Sequence, residues 1–312
     1  MPELPEVETI RRQLEPELLD RRIDSVRVLD ERWTRPEPPK RLIEAVNGRT
    51  IESVSRRGKY LIVGLEDDIG LAMHLRMTGN LTLVAGPGPD AGAANGAGGA
   101  SGAVKLGDRR LYETPPRRRH LRAELGLNDG SRLWFTDSRR FGHAVALGGS
   151  ELGRYLDARL GIEPLSEGLT AEAIGELTAA RRAPLKSFLL TQGLIAGIGN
   201  IYADEALHRA RLHPLSPAGS TRPEHWEALR DGIVEALERG IELGGASIDD
   251  YRDARGVAGE MQTEFLVHAR EGADCPRCGA EIRRTVVAGR STYFCPTCQV
   301  RLRRRRSRRG RG

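Results

Sequence analysis

The first six residues, Met1-Pro2-Glu3-Leu4-Pro5-Glu6, hold the most reactive arrangement in the chain. An initiator Met is trimmed when a small residue or Pro follows, and its removal leaves Pro2 with a free secondary amine. An α-amino group titrates near ~7.7–8.0, well below lysine, so a useful fraction is neutral at physiological pH. A neutral secondary amine attacks carbonyl carbon and collapses directly to an iminium ion, which is covalent catalysis of the Schiff-base type. Glu3 and Glu6 follow one and four positions on, within reach of one point if the segment is helical. The same residues also make an ordinary helix start. Pro suits the first helical position and acids suit the first turn, while Val7, Ile10, Leu14 and Leu18 recur at helical spacing. On this segment alone both readings stand.

The other concentration of chemistry is at the far end. Cys275-Pro-Arg-Cys278 and Cys295-Pro-Thr-Cys298 contain all four cysteines of the chain, in a CxxC–x16–CxxC array. That spacing falls within the window for a tetrahedral four-thiolate zinc site. Gly279 suits a knuckle that needs positive φ. A pair of disulfides is the competing reading. No secretory segment precedes the array and the N-terminus is acidic and polar, so a cytoplasmic, reducing setting is expected and one structural Zn2+ is favoured. Between the pairs, residues 283–294 read as a β-hairpin that turns near Ala288-Gly289 and lifts Arg290 to its tip. Such a closed site does no chemistry; it holds a basic hairpin rigid.

These groups need elements to position them. At 312 residues, two or three domains are expected, and no run of 18 apolar residues suggests a membrane span. Lys and Arg number 49 against 43 acids, but eight Arg lie in the last twelve residues, leaving 41 against 43 elsewhere. A nucleic-acid footprint would therefore be local. The basic tail, 301–312, is expected to be disordered, either a solvated end or a sequence-blind phosphate contact. Residues 85–105 are Gly/Ala/Pro-rich and read as a flexible insertion. Apolar runs at 60–65, 70–74, 81–84, 132–135 and 144–147, with turns at Asp67-Asp68 and Asn128-Asp129-Gly130, predict an antiparallel β-sandwich led by a helix over about 1–150. From about 165 the pattern becomes helical. Within it, Gly197 and Gly199 open a turn ahead of a helix whose exposed N–H groups make a phosphate site, with Asn200 as cap or neutral donor. Ordinary turn chemistry explains the same pattern.

Together the segments Pro2–Glu8, Arg56–Tyr60, His74–Gly79, Thr136–Gly142, 195–205 through His213-Pro214, and 264–299 resemble the formamidopyrimidine-DNA glycosylase family, the bifunctional base-excision repair enzymes. They run in family order and span nearly the whole chain except 85–117 and the tail. The resemblance implies an α+β multidomain protein: a catalytic N-terminal domain over 1–150 carrying the insertion 85–117, a helix-two-turn-helix domain over 165–264, a zinc finger over 265–300 and a basic tail. It implies a monomer acting on damaged double-stranded DNA, cytoplasmic and nucleoid-associated in a bacterium, that removes 8-oxoguanine and formamidopyrimidines and then cleaves the abasic site by β,δ-elimination.

By the same resemblance Pro2 is the nucleophile at C1′ and Glu3 the acid that opens the sugar ring. Lys59, His74, Asn200 and Arg290 form a phosphate clamp around the lesion, with Lys59 and Arg290 counted among the catalytic set. Met77, Arg139 and Phe141 fill the gap left by the flipped nucleotide. The competing possibilities are a solvated turn lysine at 59, a structural histidine at 74, and core roles for Met77 and Phe141. The loop at 244–259 resembles the one that covers a flipped purine, and Lys186 is a further DNA-binding candidate. Three departures stand out: Arg76 where the family usually has Gly, Ser138 where it usually has Pro, which would loosen the wedge loop, and the long insertion. Two alternatives remain. An endonuclease VIII-like enzyme for oxidised pyrimidines is disfavoured by Leu4 and the long 244–259 loop. A non-catalytic DNA-binding paralogue is disfavoured by Pro2, Glu3 and Lys59 together.

Overall fold

The structure, a computed structural model, describes residues 1–84, 104–106, 109–111, 118–248 and 251–302. Of the flexible segment expected over 85–105, residues 85–103 lie outside the described residues, as do most of the rest of the 85–117 insertion, Asp249-Asp250 and the tail from Arg303. The chain forms two compact units: Met1–Asp157 with Ile241–Gln262, and Ala158–Gly240 with the residues from Thr263 onward.

The first unit opens with α1 (Leu4–Leu18). Its N-cap is Glu3, in extended backbone, and the Glu6 carboxylate accepts the Glu3 N–H at 2.7 Å, satisfying a donor that the helix cannot. Pro5 occupies the first turn, where its missing N–H costs nothing. The helix-start reading of Pro2 therefore changes: Pro5 does that work, and Pro2 lies outside the helix. Val7, Ile10, Leu14 and Leu18 are each 1% exposed or less, as their spacing predicts.

Two four-stranded antiparallel sheets follow. One has the order β1 (Ile23–Val28), β8 (Leu121–Leu127), β9 (Arg132–Asp137), β5 (Gly79–Val84); the other has β10 (His143–Gly148), β4 (Ile69–His74), β3 (Tyr60–Leu65), β2 (Ile51–Arg57). A 3-10 turn at Glu31–Thr34 and α2 (Pro39–Val46) separate β1 from β2, and α3 (Gly149–Asp157) follows β10. Within the insertion, β6 (Val104–Leu106) pairs with β7 (Arg109–Leu111). Inward residues of both sheets, among them Leu61, Met73, Leu81, Leu133 and Phe135, form one core with the α1 stripe and Trp33. Burying such side chains is the main favourable term in folding. The sandwich that the alternating runs predict is present, and the turns at Asp67-Asp68 and Asn128-Asp129-Gly130 fall where expected.

The second unit holds α4 (Ala171–Thr178), α5 (Leu185–Leu189), α6 (Asn200–Arg209) and most of α7 (Pro223–Glu242). Thr170 caps α4, its hydroxyl accepting the Ala173 N–H at 3.1 Å. The C-terminal hairpin pairs β11 (Arg283–Val287) with β12 (Arg290–Phe294) through the two-residue turn Ala288-Gly289. Both turn residues have positive φ, 49° and 72°, as the tightest hairpin turns require.

Candidate active site and nucleic-acid interface

Pro2 and Glu3 are buried, Glu3 only 2% exposed, whereas Met1 is 37% exposed. Glu6 joins this terminus to the 244–259 loop. One of its carboxylate oxygens takes the Glu3 N–H, and the other takes the Ala246 N–H at 2.7 Å. Gly245, at φ 83°, passes so close that a Cβ there would lie 2.7 Å from Glu6 Cγ. Farther along, Gln13 accepts the Ala254 N–H and donates to Asp253, and the Tyr251 hydroxyl donates to the Glu6 and Gly244 carbonyls. The loop is thus strapped to the first turns of the helix that carries Pro2.

Lys59 stands in the two-residue turn between β2 and β3, with Gly58 at φ 57°. It is 5% exposed, so the solvated-lysine reading fails. Arg56 steadies the turn, donating to the Gly58 carbonyl at 2.9 Å and to Glu8 of α1 at 3.1 Å. Burial alone would raise the Glu8 carboxyl, but hydrogen bonds from Arg11 and Arg12, with the charges of Arg11 and Arg56, hold it below the usual range. His74 pairs across the sheet with Tyr60 and His143. Its ring meets Tyr60 edge-on at 4.7 Å and stacks on His143 at 5.5 Å. The Arg76 N–H donates to His74 Nδ1 at 3.0 Å, so in the neutral ring Nε2 carries the hydrogen. Burial first, then the charges of Arg76, His143 and Lys59, push its pKa well below the ordinary histidine value. His74 is therefore an uncharged donor.

Met77, Arg139 and Phe141 stand on two neighbouring turns, β4–β5 and β9–β10. Met77 is 41% and Phe141 52% exposed, which excludes core roles for both. The Arg139 guanidinium lies 5.0 Å over the Phe141 ring. Asp137, 1% exposed, organises both turns: it accepts from Thr78 Oγ1, from the Arg139 N–H at 3.1 Å and from the Gly142 N–H at 2.7 Å. A Cβ at Gly142 would lie 2.5 Å from the Phe135 ring, so only glycine closes this turn. Arg140, at φ 63°, reaches back to buried Asp30. The loosening expected from Ser138 is opposed by this set of bonds.

In the second unit, Arg290 is exposed at the start of β12. Asn200 is the first residue of α6, whose N-cap is Gly199, so it is not the cap. Its Nδ2 donates to the Ser291 carbonyl at 3.1 Å, and its buried Oδ1 has no partner among the described residues. Lys186, expected to face DNA, is instead 0% exposed. Its ammonium donates to the Ser291 carbonyl and Thr292 Oγ1, both at 2.9 Å, and lies 2.7 Å from Asp204 Oδ1, an ion pair rather than an aligned hydrogen bond. A buried ammonium requires such a partner. Asp204 Oδ2 also accepts from His268 Nδ1 at 2.9 Å and the Tyr293 N–H at 3.3 Å. Both residues after Arg290 are thereby tied to α5 and α6.

The four cysteine sulfurs lie within 4.8 Å of one another, with Cys278–Cys295 at 3.5 Å and Cys275–Cys298 at 3.9 Å. A disulfide needs about 2.04 Å. A tetrahedron of about 2.3 Å zinc–sulfur bonds has edges near ~3.8 Å, so the thiols fit one zinc ion and not two disulfides. Zinc here would supply folding energy and no reaction chemistry. Gly279 has φ 73°, as its place in the knuckle requires. Because this module has a core of few residues, polar contacts seat it: Arg277 donates to the His208 carbonyl at 3.0 Å and Gln299 to the Leu212 carbonyl at 2.9 Å. His208 Nε2 lies 3.4 Å from Cys275 Sγ.

Sequence reasoning missed the carboxylate hubs. Asp137, Asp204 and Glu205 all lie inside quoted motifs, yet none was singled out; Glu205 accepts the N–H groups of Leu266, Val267 and His268 at 3.0–3.1 Å. The signal available for Asp137 was an acid two residues before Arg139 and five before Gly142, a loop-capping spacing.

Comparison with known proteins agrees with this architecture. Family models match three stretches: the Formamidopyrimidine-DNA glycosylase N-terminal domain over 1–144, its H2TH domain over 160–252, and a zinc finger found in FPG and IleRS over 274–300. A formamidopyrimidine-DNA glycosylase of Chloroflexus aurantiacus is 43% identical over 302 residues, covering 97% of this chain and 99% of that protein. A crystal structure of a Lactococcus lactis FPG point mutant with Fapy-dG-containing DNA matches with a TM-score of 0.81 at 35% identity, covering 96% of this chain and 99% of that one. Wild-type Lactococcus lactis Fpg with DNA containing an oxidised pyrimidine matches at 0.80 and 35%, covering 96% and 99%. Three domain matches in order, near-complete coverage and a shared fold place this chain in the formamidopyrimidine-DNA glycosylase family.

Proposed function

We propose that the protein is a base-excision repair glycosylase that removes oxidised purines, 8-oxoguanine and formamidopyrimidines, from duplex DNA, with an abasic-site lyase activity. The observation that carries this reading is the placement of Pro2 outside α1, beside the buried Glu3, with Pro5 filling the helix-start role. Once Met1 is removed, the neutral Pro2 nitrogen attacks C1′, the bond from C1′ to the base breaks, and the base leaves with the proton that the nitrogen gives up. Glu3 donates a proton to the sugar-ring oxygen as the bond from that oxygen to C1′ breaks, which opens the ring and leaves an iminium ion between Pro2 and C1′. The iminium acidifies C2′, so loss of a C2′ proton expels the 3′ phosphate, and a second elimination expels the 5′ phosphate.

Lys59, buried in a turn that Arg56 holds against α1, serves the same centre. His74 offers a neutral Nε2–H to a backbone phosphate, while Asn200 and Arg290 grip phosphates from the second unit. Met77, Arg139 and Phe141 enter the gap left by the flipped nucleotide, the guanidinium hydrogen-bonding the orphaned base. Exposure of all three and the Asp137 bonds beneath them support that role. Lys186 acts through Ser291 and Thr292 rather than on DNA directly. The four cysteines hold one structural Zn2+, the protein works as a monomer, and it acts in the bacterial cytoplasm on the nucleoid.

Borohydride trapping tests the reading. Protein of verified intact mass, with Met1 absent, is incubated with duplexes bearing 8-oxoguanine, 5-hydroxyuracil or an abasic site. Covalent adducts that form best with 8-oxoguanine and the abasic site, and vanish in Pro2→Gly, are expected. A clear preference for 5-hydroxyuracil would indicate a pyrimidine enzyme, an arm that the oxidised-pyrimidine complex of the Lactococcus protein makes worthwhile. Binding with no adduct on any duplex refutes the enzyme reading.

A further inference from the structure

Arg76 occupies the tip of the β4–β5 turn, between His74 and Met77, and is exposed. The turn is closed by the Gly79 N–H donating to the Leu75 carbonyl at 2.9 Å, and Arg76 adopts φ 54°, the left-handed region that an L side chain enters at a cost. Its backbone N–H is spent on His74 Nδ1. Its guanidinium, by contrast, makes no ion pair or hydrogen bond among the described residues.

Arg140, on the adjacent turn, is a useful contrast. It too has a left-handed backbone, φ 63°, but its guanidinium turns inward to Asp30, where it pins the loop. Of the two left-handed arginines on these stapled turns, one is consumed by the fold and the other is presented to solvent. The presented one stands next to a buried imidazole that burial and its own positive charge keep neutral. A phosphate held by His74 alone would therefore receive one uncharged hydrogen bond. A guanidinium two residues on supplies the missing charge and a fork of donors that matches phosphate oxygens.

We infer that Arg76 is a DNA-backbone ligand: its guanidinium grips a phosphate at the His74 end of the wedge turn, supplying the cationic contact that the neutral imidazole cannot. This rests on the glycosylase reading, and the test separates the two. Full-length, zinc-loaded protein lacking Met1 is titrated with a duplex carrying a tetrahydrofuran abasic analogue, from 50 to 300 mM KCl. Arg76→Gly keeps the left-handed backbone without strain and removes the charge; Arg76→Lys keeps the charge.

Arg76→Gly is expected to weaken binding about tenfold at 100 mM KCl, the effect of one charged hydrogen bond. The slope of log K against log [KCl] should flatten by about 0.9, one phosphate contact. The loss should be equal for all four opposite bases, and Arg76→Lys should restore most of the slope. An unchanged slope and affinity in Arg76→Gly overturns the assignment. A loss confined to one opposite base also overturns it, replacing a phosphate contact with a base contact. Failure of the unmutated protein to prefer the abasic duplex over undamaged DNA would strike the glycosylase reading instead.

Discussion

Replacing Lys186 with Met isolates the buried charge network behind Arg290. Met keeps most of the side-chain volume, so the change is chiefly loss of the ammonium. Lys186 and Asp204 side chains are both 0% exposed and 2.7 Å apart. Without its counter-charge, the Asp204 carboxylate keeps only His268 Nδ1 and the Tyr293 N–H. Ser291 O retains Asn200, but Thr292 Oγ1 loses its donor. Breaking one side of such a pair costs about 3–5 kcal/mol, because an uncompensated charge stays buried.

Hydrogen exchange reads that cost locally, which suits a chain of two units where one global transition is not assured. At about 1.4 kcal/mol per decade, amides of α6 and β12 should exchange two to three and a half orders of magnitude faster in Lys186→Met. Strands of the sandwich should be unaffected. Adding Asp204→Asn removes the stranded charge, so the double variant should be at least ~1 kcal/mol more stable than the sum of the single changes implies. Less than a tenfold change in α6 and β12 exchange would refute the network. Unchanged exchange with weakened DNA binding would return Lys186 to the surface role that the sequence suggested.

Four further outcomes are expected. Asp137→Ala should leave the Arg139 and Gly142 N–H groups and Thr78 without their acceptor, at about 1–3 kcal/mol, and should lower lesion affinity through the wedge loop while trapping of an abasic duplex at saturation persists. Acidification should cost stability through His74: its folded pKa is depressed, so below about pH 6.5 the unfolded chain takes up a proton that the native one refuses. Stability should fall by up to ~1.4 kcal/mol per pH unit from pH 6.5 downward, and His74→Gln should flatten denaturation midpoints measured between pH 7 and 5.5. Stripping zinc with a chelator should abolish protection in residues 274–300 and weaken DNA binding, while amides of β3 and β4 stay protected. In Arg76→Gly, relief of the left-handed backbone should leave the melting temperature equal to or above that of the unmutated protein, measured by calorimetry.

Periodic and stoichiometric features were legible in the sequence. The α1 stripe, strand β3 at Tyr60–Leu65, the turns at Asp67-Asp68 and Asn128–Gly130, the Ala288-Gly289 hairpin and the four-thiolate cluster all follow from local rules. Less legible were β1 and β2, where register shifts at Ile23/Ser25 and Ile51/Ser53 break the alternation that marks a strand. Lys186 misled for a different reason. The DNA-binding expectation for Lys186 rested on the family resemblance; its apolar neighbours Leu185, Phe188 and Leu189 hint at burial, and only tertiary structure brings Asp204 to it. Asn200 was open between cap and donor, and the one-residue shift that makes Gly199 the cap is below the resolution of pattern reading.

A single device explains much of what pattern reading missed. Glu6, Asp137 and Glu205, all 1% exposed or less, each accept backbone N–H groups from a segment that has no regular ladder: the chain start and the 244–259 loop, the wedge turn, and the 266–268 turn; Asp204, equally buried, accepts the Tyr293 N–H of β12. A carboxylate is an acceptor with several lone-pair sites, so one buried acid can satisfy two or three N–H groups that water cannot reach. The same device changes the electrostatics. Glu3, Glu6, Glu8, Asp30, Glu124, Asp137, Asp204, Glu205 and Asp253 are buried, nine acids, against only Lys59 and Lys186 among the lysines and arginines of the described residues. A chain whose formal charge outside the tail is slightly negative thus presents an accessible side-chain population shifted toward arginine. The acids that balance the sequence on paper are used inside as loop supports, and the cations left outside are what a polyanion meets.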